Sequence, residues 1–271
     1  MKVREALAQS GLVPVDAQVL LAHVVDRDRA WLVAHRDDDL NRAQADAFFM
    51  LAKRRRDGEP VAYLTGAKEF WGLPLRVSNV VLVPRPETES LVEVALEWIP
   101  RDAEARVLDL ATGSGAIALA IAHERPRAHV VATDLSAAAL AVARDNAARL
   151  HLSNVTCVES DWWNAVDGTF DVIVSNPPYV APGDPHLREG DVRFEPAEAL
   201  VPLGDALSAL RIIVTGAHEH LAAQGALAVE HGYDQSEAVQ ALFRDAGFVD
   251  IVVRRDLAGT PRVVGGRTSR S

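Results

Sequence analysis

The stretch FDVIVSNPPY, residues 170–179, decides how the rest of the chain is interpreted. Its first half is a short run rich in β-branched residues, which is typical of a buried strand. The run ends at Pro177 and Pro178, which lack the N–H donors that would continue a strand. In an open α/β sheet, ligands bind at the carboxyl ends of such strands. The sequence therefore predicts that Asn176 and Tyr179 lie where chemistry can occur.

These residue types suit the binding of a flat nitrogen group, such as an amide or an aromatic amine. The Asn176 oxygen and the Pro177 carbonyl can each accept one N–H of that group, and the Tyr179 ring can cover its face. Positive charge grows on the nitrogen as it attacks a methyl donor, so fixed acceptors bind the transition state more tightly than the ground state. We interpret Asn176 and Pro177 as catalytic and Asn176, Pro177, Pro178 and Tyr179 as substrate-binding. The alternative is a strand that ends in a rigid turn.

The composition is that of an ordinary globular protein: 271 residues, 49% hydrophobic and 24% charged. The formal net charge of −10 argues against a broad phosphate-binding surface, so we expect no direct requirement for nucleic acid. A single cysteine, Cys157, excludes an internal disulfide and fits a reducing cytosol. No apolar run reaches the roughly 18 residues of a membrane span, and the N-terminus lacks a signal-peptide core. We therefore expect a cytoplasmic protein with no membrane contact.

Residues 1–58 predict a helical domain, because apolar side chains recur at helical or near-helical spacing. The last predicted helix ends in the basic run Lys53-Arg54-Arg55-Arg56. This run is either a contact for a partner or RNA, or a solvated helix end, as runs of like charge usually are. Residues 59–85 then place glycines and prolines between short apolar runs, which favours a β-hairpin linker.

Residues 86–271 alternate predicted strands and helices, which indicates an α/β domain with a mostly parallel sheet. The predicted strands cover residues 106–110, 129–134, 155–158, 170–175, 225–231 and 248–254, with a last edge strand at 261–264. The long irregular segment 180–204 is typical of a functional lid or of disorder. The tail after residue 267 is expected to fray.

A nucleotide-type site is predicted between the first two strands of this domain. Asp109 ends the first strand, the turn Ala111-Thr112-Gly113-Ser114-Gly115 leads into a helix, and Asp134 ends the second strand. Small residues let a ligand approach the backbone, and an acid about 20 residues further on binds ribose hydroxyls. Asp134 fits that ribose role, and Asp109 is placed to face an ammonium group of the ligand.

Two features favour S-adenosylmethionine over a dinucleotide. The turn lacks the three-glycine dinucleotide pattern, and acceptors for a planar nitrogen have a use only beside a methyl donor. Trp162 is placed to stack on the adenine with Asp161 nearby, while core packing is the alternative for Trp162 and Trp163. The run His218-Glu219-His220 resembles a metal cluster, but residues i and i+2 of a helix point to different faces, so we predict no metal site.

The chain resembles the bacterial release factor glutamine methyltransferases, the PrmC/HemK family, over nearly its whole length. The resemblance rests on EPVAYLTG (59–66), EFWGLPL (69–75), VPRPETE (83–89), residues 109–118, SNPPY (175–179), DPHL (184–187) and DVRFEP (191–196). The Asn-Pro-Pro-Tyr motif alone is shared by several amino-methyltransferases. The linker stretches and those after that motif are specific to this group.

This resemblance implies a small helical domain that docks on a protein substrate, a β-hairpin linker and a Rossmann-like class I methyltransferase domain with a seven-stranded sheet. It implies methyl transfer from S-adenosylmethionine, leaving S-adenosylhomocysteine, to the N5 nitrogen of the glutamine in the Gly-Gly-Gln loop of class 1 peptide chain release factors. Residues 111–115, Asp134, Trp162 and Asn176 would contact the cofactor, and Phe70 and Arg85 would line the substrate pocket. We expect the protein to act as a monomer.

The chain departs from the family pattern at two places. Ala111 stands where the family usually has glycine, and the segment 201–207 looks altered or shortened. Because alanine disfavours a positive φ, we expect a modestly weaker cofactor affinity. Two other functions remain open. One is an adenine or guanine amino-methyltransferase, but the net negative charge of the chain argues against it. The other is a cofactor-binding chain that only assists a partner, but the presence of Asn176 and Asp134 argues against it.

Overall fold

The computed structural model describes residues 1–269, which form two compact units. The first unit contains Met1–Ala67 and Pro185–Phe194, and the second contains Lys68–Asp184 and the chain from Glu195 onward. Residues 270–271, part of the tail for which we predict fraying, lie outside the described range.

The first unit is helical, as the apolar spacing predicts. Its helices are α1 (Val3–Gln9), α2 (Pro14–Val25), α3 (Arg29–Ala34), α4 (Arg42–Arg56) and α5 (Val61–Thr65). They share one apolar core, to which Phe48 and Leu64 belong. Leu64 lies beyond residue 58, where the sequence pattern places the start of the linker. Because its side chain is buried among the helices, the helical unit extends to Ala67.

The basic run at the end of α4 is engaged within this unit. Nε of Arg55 lies 2.7 Å from Oδ2 of Asp16, and its Nη1 lies 2.5 Å from Oδ1 of Asp191. Arg56 donates a hydrogen bond to the backbone carbonyl of Ser10. The structure therefore favours a third interpretation of the run, in which its charges join segments of the helical unit that are distant in sequence.

Residues 185–194 follow the Asn-Pro-Pro-Tyr motif in the chain but belong to the helical unit. They form two short 3-10 turns, Pro185–Arg188 and Val192–Phe194. Arg193 donates to the backbone carbonyl of Asp57, and its guanidinium carbon lies 4.9 Å from the centroid of the Phe194 ring. This part of the predicted lid is therefore held by the residues that end α4.

A two-stranded hairpin follows the helices, consisting of β1 (Ala67–Phe70) and β2 (Leu73–Arg76). A 3-10 turn at Pro86–Thr88 then leads into α6 (Glu89–Trp98). The remaining strands are β3 (Arg106–Leu110), β4 (His129–Asp134), β5 (Val155–Glu159), β6 (Phe170–Ser175), β7 (Leu221–Glu230), β8 (Val249–Arg255) and β9 (Pro261–Arg267). The remaining helices are α7 (Ala116–Glu124), α8 (Ala137–Arg149), α9 (Ala197–Leu200), α10 (Ser208–His220) and α11 (Ser236–Asp245).

Seven strands within residues 1–269 form one sheet, in the order β5-β4-β3-β6-β7-β9-β8. The pairs from β5 to β7 are parallel, and β9 runs antiparallel to both β7 and β8. This confirms the predicted seven-stranded, mostly parallel sheet. Val107 and Leu108 belong to different apolar cores, because successive residues of a strand point to opposite faces of the sheet.

The described residues contain no group of three His, Cys, Asp or Glu side chains that could hold a metal ion. In α10, Nε2 of His218 lies 2.7 Å from the Ala246 carbonyl, while His220 stacks on Trp163 with 4.7 Å between ring centroids. The two histidines thus have different partners. Among the helices of residues 1–269, none combines the length and the apolar character needed to cross a membrane.

We expect Arg55→Ala to lower the free energy of unfolding by about 2 kcal/mol, because it leaves two carboxylates without their charge-assisted partner. Deuterium exchange should rise in residues 185–194, because Asp191 no longer accepts a hydrogen bond from Arg55. The matched control is Arg42→Ala, whose side chain is 96% exposed, and it should change stability by less than about 0.5 kcal/mol. Urea denaturation and exchange mass spectrometry measure the two effects. Unchanged exchange in residues 185–194 would contradict the assignment.

Candidate active site

The loop that follows β3 and the loop that follows β6 lie side by side at the point where the strand order reverses. The chain passes from β3 to β4 and β5 on one side, then crosses to β6 on the other side of β3. Leu110 lies opposite Ser175 in the parallel ladder, and the Ser175 hydroxyl donates to the Leu110 carbonyl at 2.8 Å. The loops that begin at Ala111 and Asn176 therefore leave the same edge side by side, where open α/β sheets bind ligands.

The turn that follows β3 repeatedly adopts a left-handed backbone. Ala111 has a φ of 59°, Gly113 of 56° and Gly115 of 85°. A Cβ atom added to Gly113 would meet nothing within 4 Å, whereas one added to Gly115 would meet Leu119 at 3.1 Å. Gly115 is therefore needed for packing, while Gly113 borders open space of the kind that a ligand requires.

Asp109 is fully buried beneath this turn. Its Oδ2 accepts hydrogen bonds from the Thr112 hydroxyl at 2.6 Å and from the Ala118 N–H at 3.1 Å. Its Oδ1 has no hydrogen-bond partner in the part of the chain that the structure describes. Burial outweighs the two bonds and raises the pKa of Asp109 to about 7. Asp109 thus fixes the turn and the start of α7, and it keeps one oxygen available for a further donor.

Asp134 ties the end of β4 to the same turn. Its Oδ2 accepts the Gly113 N–H and its Oδ1 accepts the Ser136 N–H, both at 2.9 Å. Burial raises the pKa of Asp134 despite these bonds. Because each carboxylate oxygen has two lone pairs, both oxygens can still accept hydrogen bonds from a ligand.

Asp161 and Trp162 follow β5, one strand further from β3. Glu159 lies opposite Asp134 in the parallel ladder, so the segment after β5 leaves the sheet next to Asp134. Asp161 is exposed, and Trp162 is half-buried with a left-handed φ of 49°. Trp163 stacks instead on the histidine at the end of α10. The structure therefore uses Trp163 for packing.

Asn176 and Pro177 present two acceptors at the end of β6. Nδ2 of Asn176 donates to Oγ1 of Thr88 at 3.3 Å, which leaves Oδ1 without a hydrogen-bond partner among residues 1–269. Pro177 is buried, and its carbonyl accepts no hydrogen bond from the described residues. An NH2 group can therefore place its two N–H donors on acceptors that belong to adjacent residues.

Tyr179 is held at both ends. Its hydroxyl donates to Oε1 of Glu230 at 3.0 Å, and its carbonyl accepts from Nε2 of Gln235 at 2.9 Å. Glu230 is buried at the end of β7, and its Oε2 accepts no hydrogen bond from a well-aligned donor in the described chain. Burial raises the pKa of Glu230 to about 7, although interactions with Thr88 and Tyr179 lower it. Burial and Glu230 raise the pKa of Tyr179, which therefore keeps its proton.

Arg85 and Phe70, which the family resemblance suggests for the substrate pocket, lie in different environments. Nη2 of Arg85 pairs with Oε2 of Glu195 at 2.6 Å, and Oε1 of Glu195 accepts the Val83 N–H at 3.1 Å. Arg85 remains 34% exposed. Phe70 is 1% exposed and belongs to an apolar core. A ligand can therefore reach Arg85, whereas Phe70 contributes packing from within.

Three residues that shape this edge were not found from the sequence: Thr88, Asn146 and Glu230. Nδ2 of Asn146 donates to the carbonyls of Ser114 at 2.9 Å and Arg76 at 3.0 Å, which joins the turn to the β1–β2 hairpin. Glu230 carries the same signal as Asp134, an acid at the end of a predicted strand. Asn146 has no such signal, because it lies inside a predicted helix.

By its fold and by its similarity to known proteins, the chain is a methyltransferase of the Rossmann-like class. Residues 90–204 match the family described as Methyltransferase small domain, and residues 1–66 match the PrmC N-terminal domain. The crystal structure of a methyltransferase from Pyrococcus furiosus shares this fold with a TM-score of 0.55. It is 22% identical and covers 73% of this chain and 90% of that one.

Two relatives are similar over nearly the entire length. The release factor glutamine methyltransferase of Xylella fastidiosa is 51% identical over 263 residues, covering 97% of this chain and 96% of the relative. The release factor glutamine methyltransferase of Bordetella pertussis is 50% identical over 266 residues, covering 97% of this chain and 98% of the relative. This chain therefore belongs to the release factor glutamine methyltransferase family.

We expect Ala111→Gly to raise the free energy of unfolding by about 0.5–1 kcal/mol. A left-handed conformation costs alanine about 1–2 kcal/mol, part of which is offset by the greater freedom of glycine in the unfolded chain. The matched control is Ala141→Gly on the exposed face of α8, which should lower stability by up to about 1 kcal/mol. Urea denaturation measures both variants. A loss of stability in both would show that Ala111 is not strained.

Proposed function

We propose that this chain transfers a methyl group from S-adenosylmethionine to the N5 nitrogen of the glutamine in the Gly-Gly-Gln loop of class 1 peptide chain release factors. Family membership supports the proposal, and one observation carries it. The Asn176 Oδ1 and the Pro177 carbonyl are uncommitted acceptors at the sheet edge that also holds the turn 111–115. A primary amide carries two N–H donors on one nitrogen, which suits this pair.

The residues around the turn fit S-adenosylmethionine. Gly113 borders open space, and Asp109 keeps an unpartnered oxygen among the described residues, which suits the ammonium group. We assign Asp134 to the ribose hydroxyls, and Trp162 with Asp161 to the adenine. When bound, the cofactor supplies an electrophilic methyl carbon and leaves as S-adenosylhomocysteine. The modest loss of affinity that we expect from Ala111 stays a prediction.

The chain contributes orientation and charge stabilisation. Asn176, which we place between cofactor and substrate, and the Pro177 carbonyl accept the two N–H groups and point the nitrogen lone pair at the methyl carbon. Positive charge that develops on the nitrogen strengthens both hydrogen bonds, so they favour the transition state. Pro178 stiffens the loop, and the fixed ring of Tyr179 covers the planar amide. The methylated nitrogen is strongly acidic and loses one proton to water.

The helical unit is our candidate for docking the release factor, and Arg85 is our candidate for a further substrate contact. Phe70 would support the pocket from the core. We propose that the enzyme works as a monomer in the cytoplasm, where translation factors act. The net charge of −10 counts against a nucleic-acid substrate, whose phosphates it would repel.

Radiolabelled S-adenosylmethionine, offered with release factor, duplex DNA and ribosomes in parallel, tests the substrate. We expect label on the release factor, in the peptide that carries the Gly-Gly-Gln sequence. Label on DNA or ribosomal RNA without label on the release factor would refute the proposal in favour of a nucleic-acid amino-methyltransferase.

Asn176→Ala should lower kcat by at least about 100-fold, because one of the two acceptors for the reacting nitrogen is lost. Cofactor binding should persist, since the turn 111–115 and Asp134 are untouched, and isothermal titration calorimetry measures it. Asn164→Ala, at an exposed position, is the matched control and should keep the wild-type rate. A wild-type rate in the Asn176 variant would remove Asn176 from the mechanism.

A further inference from the structure

The Asn176 amide serves the proposed reaction in only one of its two orientations. A substrate amide brings N–H donors, so Asn176 must present Oδ1 to it and turn Nδ2 away. The two ends of the asparagine amide are nearly equal in size, so packing alone does not choose between them. The structure makes the choice through Thr88, whose Oγ1 receives Nδ2 at 3.3 Å.

Thr88 can accept this bond reliably only if its own hydroxyl hydrogen points elsewhere. A hydroxyl has one hydrogen to donate, and an ionised carboxylate is an acceptor only. The Thr88 hydroxyl interacts with the buried carboxyl of Glu230, and this interaction favours the ionised form of the carboxyl. With its hydrogen directed to Glu230, Thr88 offers only lone pairs to Asn176.

The strand register brings Glu230 to this position. Ser175 of β6 pairs with Val229 of β7, so Asn176 and Glu230 are the next residues along two adjacent parallel strands. Glu230 is 2% exposed and also accepts the Tyr179 hydroxyl at 3.0 Å. One buried carboxyl therefore interacts with Tyr179 and with the residue that holds Asn176.

We propose that Glu230 is a positioning residue that acts through Thr88 to fix the Asn176 amide with its oxygen toward the substrate. This inference rests on the proposed function, because it assumes a substrate that donates N–H groups. Glu230 takes no proton from the substrate. Its role is to draw the hydroxyl hydrogen of Thr88 toward itself, so that Thr88 accepts the hydrogen bond from Asn176.

The ionisation of Glu230 decides whether this direction holds. Burial raises the pKa of Glu230 to about 7; Thr88, Tyr179 and Arg262 lower it, and Glu87 raises it further. A protonated Glu230 can donate its own hydrogen, and Thr88 can then accept that bond and donate to Oδ1 of Asn176. Turnover should therefore fall as the pH drops through about 7.

Three other groups near this edge respond to pH and need a control. Burial raises the pKa of Asp109 to about 7 and also raises the pKa of Asp134, and burial lowers the pKa of His231, which directly follows Glu230. All three remain in a Glu230→Gln variant, in which the amide can donate as well as accept. Only the pH dependence that disappears in this variant belongs to Glu230.

Nuclear magnetic resonance of the intact chain tests the inference without any substrate. The side-chain NH2 signals of Asn176 are assigned by their absence in Asn176→Ala. In the wild-type protein they should shift with a midpoint near pH 7, and the shift should vanish in Glu230→Gln. Asn176 signals that are identical in the wild type and in Glu230→Gln at every pH between about 5 and 9 would overturn the proposal, whatever the enzyme methylates.

Kinetics on the release factor give the second readout. Glu230→Gln and Thr88→Val should each lower kcat by about tenfold and change KM by less than about threefold, because the substrate still binds but its acceptor is misdirected. Thr88→Ser keeps the hydroxyl and should restore kcat. The matched controls are Glu219→Gln and Thr215→Val, both at exposed positions of α10, and they should keep wild-type values.

The outcomes separate the two proposals. A wild-type protein that leaves the release factor unmethylated would refute the proposed function, while the Asn176 signals would still test Glu230. A wild-type kcat in a folded Glu230→Gln variant would overturn the positioning role. If that variant fails to fold, the two Thr88 variants provide the test. Equal kcat values in Thr88→Val and Thr88→Ser would then overturn the positioning role.

Discussion

The parallel pairing of β3 with β6 is the constraint on which the candidate site depends. It sets Leu110 opposite Ser175, and the Ser175 hydroxyl closes the pair with a hydrogen bond to the Leu110 carbonyl. Side chains alternate along a strand, so a slip of one residue would turn every side chain of β6 to the other face of the sheet. The two loops that carry the site therefore depend on this register for their common edge.

Three acids at the carboxyl ends of strands perform the same physical task. Asp109 near the end of β3, Asp134 at the end of β4 and Glu230 at the end of β7 each accept hydrogen bonds that orient the backbone or the side chains around them. Each is buried enough for its pKa to rise, which shows that neutral donors do not fully replace the lost water. Such incompletely compensated carboxyls are expensive in a folded protein and are characteristic of functional sites.

The rigidity of the edge arises from these bonds more than from regular secondary structure. The turn 111–115, with its left-handed residues, is bonded to Asp109 through Thr112, to Asp134 through Gly113 and to Asn146 through Ser114. The prolines of the second loop give the same stiffness by fixing φ. In the proposed reaction, a cofactor turn and a substrate loop that are both fixed in advance of binding lower the entropy that must be lost on the way to the transition state.

Local sequence patterns are enough to predict the class of fold and the two loops of the candidate site. Strand and helix periods are local patterns, so the residues alone locate the alternation from residue 86, the turn 111–115 and the strand that ends at Asn176. Packing between distant segments places residues 185–194 in the helical unit and pairs Arg55 with Asp191, 136 residues away. Strand register brings Tyr179 and Asn176 close to Glu230. These choices depend on strand register and on packing between distant segments, where hydrogen-bond direction and burial are set by neighbours that no local pattern names.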